Sequence, residues 1–243
     1  MKIYILTLFP EECLNYFVKG IFKRAYNSKI IDLNFINLRD FADNKYGRVD
    51  DYPYGQKRGL VIRSEVIYNA VKSIKNFDKY KILYTCPKGK NFNQKSAYNL
   101  SKAKGLILIL GYFEGIDERV FELLKIEKVS IGDFVLSSGE LPALIIAESI
   151  IRLIPGVVGK AACVQNDSFV SGLLEHPQYT TPRNFLGHEI PGVLISGNHQ
   201  AIDKWKIENS LKETLFNKPD LLKYYHQPDQ KYKKVLETLL KET

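Results

Sequence analysis

The sequence predicts an α/β domain built on a parallel sheet, followed by a small all-helical C-terminal domain. Three observations carry that expectation. Over about the first 160 residues, short apolar runs alternate with segments of helical spacing. Three of those runs, Tyr80–Tyr84, Leu106–Leu110 and Ile126–Val129, each end in a glycine-bearing turn. After Pro155-Gly156 the composition shifts, and beyond about Ser171 strand-like runs give way to lysine-rich helical segments.

Taken in order, Ile3–Phe9 is a continuous apolar run, as in a strand buried on both faces, and Pro10 ends it. Glu11–Arg24 carries Leu14, Phe17, Val18, Ile21 and Phe22 at helical spacing. In the next strand Ile31, Leu33 and Phe35 alternate with Asp32 and Asn34, so one face is wetter. Leu38–Gly59 is polar and glycine-bearing, a long loop of the kind that is functional or mobile. Ser64 caps a helix whose inner face is Ile67, Ala70, Val71 and Ile74. The strand Tyr80–Tyr84, a helix from about Asn93 to Ala103, the strand Leu106–Leu110 and a short helix Asp117–Leu124 follow. Glu140–Ile154 is apolar nearly all round, so it belongs in a core or at a subunit interface. Ala201–Leu215, Pro219–Tyr225 and Pro228–Leu240 read as the C-terminal helices. The expected division is residues 1–158, a linker over 159–174, and 175–243.

The chain has 243 residues, 45% of them hydrophobic, and a net charge of +8. A chain this basic has the footprint of a nucleic-acid binder, or simply a solvated cationic surface. Lys45, Arg48, Lys57, Arg58 and Arg63 cluster around the long loop. Lys204, Lys206, Lys212, Lys218 and Lys223 lie in the C-terminal part. Cys13, Cys86 and Cys163 are far apart and form no C-x-x-C pair, which argues against a zinc site or disulfide framework and for the reducing cytoplasm. The apolar N-terminal run is too short for a signal sequence, and no run reaches membrane-span length.

The three turns are Thr85-Cys86-Pro87-Lys88-Gly89, Gly111-Tyr112-Phe113-Glu114-Gly115-Ile116-Asp117 and the stretch from Ser130 to Glu140. Ligands of open parallel sheets bind beyond the carboxyl ends of strands, so three such turns are expected to form one pocket. Gly111, Gly132 and Gly139 let backbone approach a ligand closely. Each turn alone is also compatible with an ordinary connection.

An ordered set of segments extends from residue 8 to 222. It includes Leu8-Phe9-Pro10, Val49-Asp50-Asp51-Tyr52-Pro53-Tyr54-Gly55, Tyr112-Phe113-Glu114-Gly115-Ile116-Asp117-Glu118-Arg119 and Ser130-Ile131-Gly132-Asp133. Arg152-Leu153-Ile154-Pro155-Gly156-Val157, Asp167-Ser168-Phe169, Pro177-Gln178-Tyr179-Thr180, Ser196-Gly197-Asn198-His199 and Lys218-Pro219-Asp220-Leu221-Leu222 continue it. On these residues the chain resembles the bacterial tRNA (guanine-37-N1)-methyltransferases of the SPOUT superfamily. The resemblance implies a trefoil-knotted parallel-sheet domain, a homodimer whose active sites are shared between subunits, and S-adenosyl-L-methionine as methyl donor. It implies N1 of guanosine 37, beside the tRNA anticodon, as acceptor. Donor contacts are implied for Tyr84, Thr85, Pro87, Gly89, Gly111, Glu114, Ser130, Ile131, Gly132, Asp133, Phe134, Val135, Leu136, Gly139 and Pro142. A Mg2+ ion is suggested by the family, but no carboxylate cage is visible in the sequence, and Asp50 and Asp51 are weak candidates.

Guanine N1 carries a proton at neutral pH, so its methylation needs a base. Charge then develops on the neighbouring carbonyl oxygen, where a cation helps. The resemblance assigns these tasks to Asp167 and Arg152. Two other roles stay open: Asp167 as a helix cap, and Arg152 as a last-turn complement to a helix dipole. His199 and Trp205 are open to RNA stacking or to packing. The chain departs from the family pattern in several places. Cys86-Pro87-Lys88-Gly89 stands where Ser-Pro-Gln-Gly is usual, Ser138 replaces a glycine, Glu148 an aspartate, and Thr181 an arginine. Gly55-Gln56-Lys57-Arg58-Gly59 interrupts a glycine run.

Overall fold

Leu106 to Leu110 are all buried, and their alternation sets the architecture. Leu106 and Leu108 point into one hydrophobic core, Ile107 and Ile109 into another, as a strand covered on both faces requires. The computed structural model describes residues 1–17, 19–55, 59–158, 167–170 and 172–224. The chain divides into two compact units, Met1–Ala161 and Ala162–Thr243.

The first unit opens with β1 (Lys2–Thr7), α1 (Pro10–Phe17), α2 (Gly20–Asn27), β2 (Asp32–Asn37), β3 (Asp50–Asp51) and β4 (Val61–Ile62). It continues through α3 (Ser64–Lys72), β5 (Lys81–Asn91), α4 (Gln94–Ser101), β6 (Gly105–Leu110), α5 (Arg119–Leu124), β7 (Glu127–Ser130) and α6 (Glu140–Ile151). Five strands form one parallel sheet in the order β2-β1-β6-β5-β7. One face is covered by α1, α2, α4 and α6, through Phe17, Phe22, Ala97, Ile146 and Ile150. The other is covered by α3 and α5, through Val66, Ile67, Val71, Val120 and Leu124. This is the layered arrangement that βαβ units produce.

Local chemistry explains where elements begin and end. The helix expected over Glu11–Arg24 is two helices. Lys19 is extended and Gly20 takes φ +56°, a left-handed turn that a helix interior does not accommodate. Asn93 caps α4 by accepting from the Ser96 N–H at 2.9 Å. The stretch expected to be loop, Leu38–Gly59, holds a 3-10 turn at Leu38–Phe41 and the strand β3, which pairs antiparallel with β4. Polar side chains organise it. Asn44 Oδ1 accepts from the Tyr46 and Arg48 N–H groups, and Arg63 clamps Asp43 with bonds of 2.8 and 2.7 Å. Arg63 also meets Glu65. The Arg63 guanidinium holds the Asp43 carboxyl below the usual carboxylate range. Lys57 and Arg58, part of the expected basic cluster, lie outside the described residues.

The second unit is built around α7 (His199–Asn217), after a two-residue hairpin of β8 (Asn184–Phe185) and β9 (His188–Glu189). The hairpin corrects the expectation that strands end before this region. Its turn residues Leu186 and Gly187 both have positive φ, 52° and 87°, as a type I′ turn requires. Asn198 caps α7 by accepting from Ala201 N–H at 3.1 Å, so His199 is its first residue. Trp205 is half-buried and packs edge-on to His176, with Tyr179 beside it. Pro219–Tyr224 is a 3-10 rather than an α-helix. The expected helix Pro228–Leu240 and most of the expected linker lie outside the described residues.

Candidate active site

The carboxyl ends of the adjacent strands β6, β5 and β7 meet at one cleft of about 290 Å3. All three glycine-bearing turns contribute to it.

The first turn is a bulge in β5. Thr85 and Lys90 both pair with Val129 of β7, so Cys86–Gly89 is thrown out of the ladder. Gly89 anchors the bulge, because a Cβ there would stand 2.3 Å from the Val129 backbone nitrogen. Burial pushes the Cys86 thiol pKa up, and the Lys88 and Gly89 backbone beside it opposes the rise. Below the bulge, Tyr84 is buried, and burial pushes its phenol upward. Its ring packs edge-on to Phe121 at 5.4 Å.

The second turn is fixed against β4. Glu114 N–H donates to Leu60 C=O, Ile62 N–H to Gly115 C=O, and Asp117 N–H to Ile62 C=O, each at 2.9–3.0 Å. Gly111 lies so close to Tyr84 that a Cβ would stand 2.7 Å from the phenol oxygen.

The third turn starts with Ser130, whose hydroxyl donates to Gly132 C=O and accepts from Gly132 N–H. Phe134, Val135 and Leu136 follow, with apolar side chains still 53%, 83% and 40% exposed at the cleft. The segment then returns over the other two strand ends. Gly139 N–H donates to Gly111 C=O at 2.7 Å, and the Thr85 hydroxyl donates to Gly139 C=O at 3.3 Å. Pro142 lines the cleft from the first turn of α6, where a missing N–H costs no helical bond.

Every residue expected to contact the donor lines this cleft except Gly89 and Asp133. Gly89 is spent on the approach to Val129, and Asp133 is exposed outside the lining. Arg152 follows the last residue of α6, its N–H bonded to Glu148 C=O, and is not among the lining residues. Asp167 belongs to the second unit. Its carbonyl accepts from Val170 N–H at 3.2 Å, closing a turn, so it does not cap an α-helix among the described residues.

The sequence reading placed Lys88 in the first turn without a donor contact and missed Glu118, Phe121 and Lys128 as lining residues; all four line the cleft. Lys128 pairs with Glu118 and lies 3.9 Å from the Phe121 ring centroid. Only the alternation along β7 hinted at this. Glu127 pairs with Lys81 at the sheet edge, which sends Lys128 to the opposite face.

A second hollow of about 360 Å3 is bordered by α1 and α6 through Cys13, Tyr16, Leu141 and Leu144. Tyr112, Ser137 and Ser138 line both hollows and form the wall between them. Here Glu140 Oε1 accepts from the Thr7 hydroxyl at 2.9 Å, while its buried Oε2 has no hydrogen-bond partner. Among the described residues, no group of three or more His, Cys, Asp or Glu is placed to hold a metal ion, and no helix is long and apolar enough to cross a membrane.

A cleft at the ends of parallel strands, floored by glycine and walled by apolar side chains, suits a nucleoside with a charged tail. Comparison with known proteins gives the family. Residues 1–224 match the family model described as tRNA (Guanine-1)-methyltransferase TrmD. A tRNA (guanine-N(1)-)-methyltransferase of Staphylococcus carnosus is 46% identical over 244 residues, covering 98% of this chain and 100% of that protein. Those of Staphylococcus epidermidis and Bacillus subtilis are 45% and 43% identical, and each alignment covers 98% or more of both chains. With a family model spanning residues 1–224 and relatives aligned from end to end, the chain belongs to the tRNA (Guanine-1)-methyltransferase TrmD family.

Proposed function

We propose that this protein transfers a methyl group from S-adenosyl-L-methionine to N1 of a guanosine in tRNA, at position 37 beside the anticodon. The observation that carries the reading is the convergence of the three glycine turns on one cleft, in a chain that belongs to this family. The donor fits what is there. Glycines at 111 and 139 sit where a Cβ would collide with Tyr84 or Thr85, so the cleft floor is bare backbone able to read an adenine edge. Phe134 and Leu136 offer apolar cover for the ring.

When bound, S-adenosylmethionine supplies a methyl carbon on a sulfonium, which leaves as a neutral thioether. The chain's own residues do the rest. Asp167 accepts the N1 proton as the nitrogen lone pair takes the methyl carbon. Arg152 stabilises the charge that builds on the guanine carbonyl oxygen. The cleft turns would hold and orient the donor. The same reading includes the trefoil knot, a C-terminal unit that holds tRNA, and a homodimer whose second copy completes each active site. Leu14 and Tyr16 of α1 and Leu141 and Ile145 of α6 stay 46–59% exposed on an apolar face, which supports the dimer.

The test is methylation of an unmodified tRNA transcript carrying guanosine 37, read by nucleoside mass spectrometry with the position mapped. Asp167→Asn is expected to slow single-turnover methyl transfer about 10²–10⁴-fold, with S-adenosylhomocysteine binding kept. An unmodified transcript with wild-type enzyme, or a variant as fast as wild type, refutes the reading.

A further inference from the structure

We propose that Lys88 is the cation that holds the carboxylate of the donor's amino-acid tail, an inference that rests on the donor reading of the cleft. Four charged side chains line that cleft: Lys88, Glu114, Glu118 and Lys128. Glu118 and Lys128 satisfy each other. Among the described residues this leaves one cation, Lys88, and one anion, Glu114. S-adenosylmethionine carries one carboxylate and two cationic groups, its ammonium and its sulfonium. The carboxylate is the donor's only anion and therefore its only opposite charge for a lysine, while Glu114 lines a cleft for a ligand with two positive centres.

Lys88 is exposed, and its backbone position is what the fold defines. It sits on the bulge that leaves the ladder at Thr85 and rejoins it at Lys90. Pro87 restricts the backbone just before it, and Gly89 seats the bulge on Val129. What is fixed at the Cα is an anchor over the cleft, with a flexible stem that reaches toward a ligand's polar end. The resemblance places a glutamine at this position in the family pattern. A glutamine donates hydrogen bonds but no charge, so this chain adds a full positive charge to the donor site.

Two ligands separate the tail from the nucleoside. S-adenosylhomocysteine has the amino-acid tail; 5′-methylthioadenosine has the same nucleoside and sulfur without it. By calorimetry on the full-length protein, Lys88→Gln is expected to weaken S-adenosylhomocysteine about fivefold, between an exposed ion pair and a charge-assisted hydrogen bond. Methylthioadenosine affinity stays within about twofold, since no tail is present to lose a charge partner. Lys88→Arg restores most of the loss. Equal losses for both ligands show a disturbed bulge and overturn the assignment. Unchanged S-adenosylhomocysteine binding with weaker, salt-sensitive tRNA binding gives Lys88 to an RNA phosphate and also overturns it. Wild-type protein that binds neither ligand removes the donor reading itself, a failure distinct from that of Lys88.

Discussion

Replacing Gly139 with alanine tests whether the third turn is bolted to the ends of β5 and β6. Gly139 has φ −84° and ψ −2°, a conformation open to any residue, so the change introduces no backbone strain. The effect is steric. The new Cβ would stand 2.4 Å from Thr85 Oγ1 and 2.5 Å from the Gly111 nitrogen, where ordinary contact begins at 3.4 Å. The segment must therefore move by about 1 Å, which takes its 2.7 Å bond to Gly111 out of hydrogen-bonding range. Overpacking costs about 1–3 kcal/mol, and two weakened hydrogen bonds about 1 kcal/mol each. A stiffer unfolded chain returns about 0.4–1 kcal/mol. The net is about 2–5 kcal/mol, which lowers Tm by about 4–20 °C at roughly 2–4 °C per kcal/mol. Calorimetry is expected to show at least about tenfold weaker S-adenosylhomocysteine binding, because a 1 Å misplacement spoils a positioned site. Gly192→Ala is the control, since nothing lies within 4 Å of its Cβ position. Gly139→Ala with Tm and affinity indistinguishable from that control refutes the reasoning.

Two further outcomes follow from other parts of the first unit. Cys13 is 1% exposed, and burial first, then the charge of Glu140, pushes its thiol up to about 11 from an ordinary value near 9. Between those values the folded protein holds a proton that the unfolded chain releases. Its contribution to stability is therefore complete below about pH 9 and lost as pH rises toward 11. Urea denaturation across that window is expected to show a shallower decline in Cys13→Ala than in wild type; parallel slopes contradict the assignment. On α6, Ile145→Glu places a charge on an apolar face that is half exposed in the isolated chain. Analytical ultracentrifugation is expected to show wild-type dimers and variant monomers with unchanged helical content, and a monomeric wild type disproves the interface.

Much of the first unit was legible because its signals are local. The run Ile3–Phe9 announces a strand buried on both faces, and β1 is one, with Ile3 and Ile5 in one core and Leu6 in the other. The strand order was not legible. Nothing in the runs says that β6 inserts between β1 and β5, since that depends on long-range pairing. The bulge at Cys86–Gly89 was hidden because Pro87 and Gly89 read as the end of a strand, whereas β5 resumes through Lys90 and Asn91. The Glu118–Lys128 pair joins two elements ten residues apart in sequence and has no spacing signature. In the second unit, Leu186-Gly187 makes a type I′ turn without the usual asparagine or aspartate, so the hairpin gave no warning. The tasks given to Asp167 and Arg152 came from resemblance and chemistry, not from any pattern in their surroundings.

Tyr112, Ser137 and Ser138 border two hollows at once. The outer hollow is also bordered by Tyr16 and Leu141, which the proposed dimer covers, so a second copy seated there bears on residues that also border the donor cleft. Thermodynamic linkage then makes the traffic two-way: whatever factor pairing imposes on nucleoside affinity, the nucleoside imposes on pairing. Filling the inner hollow and joining two copies are thus two ends of one lever.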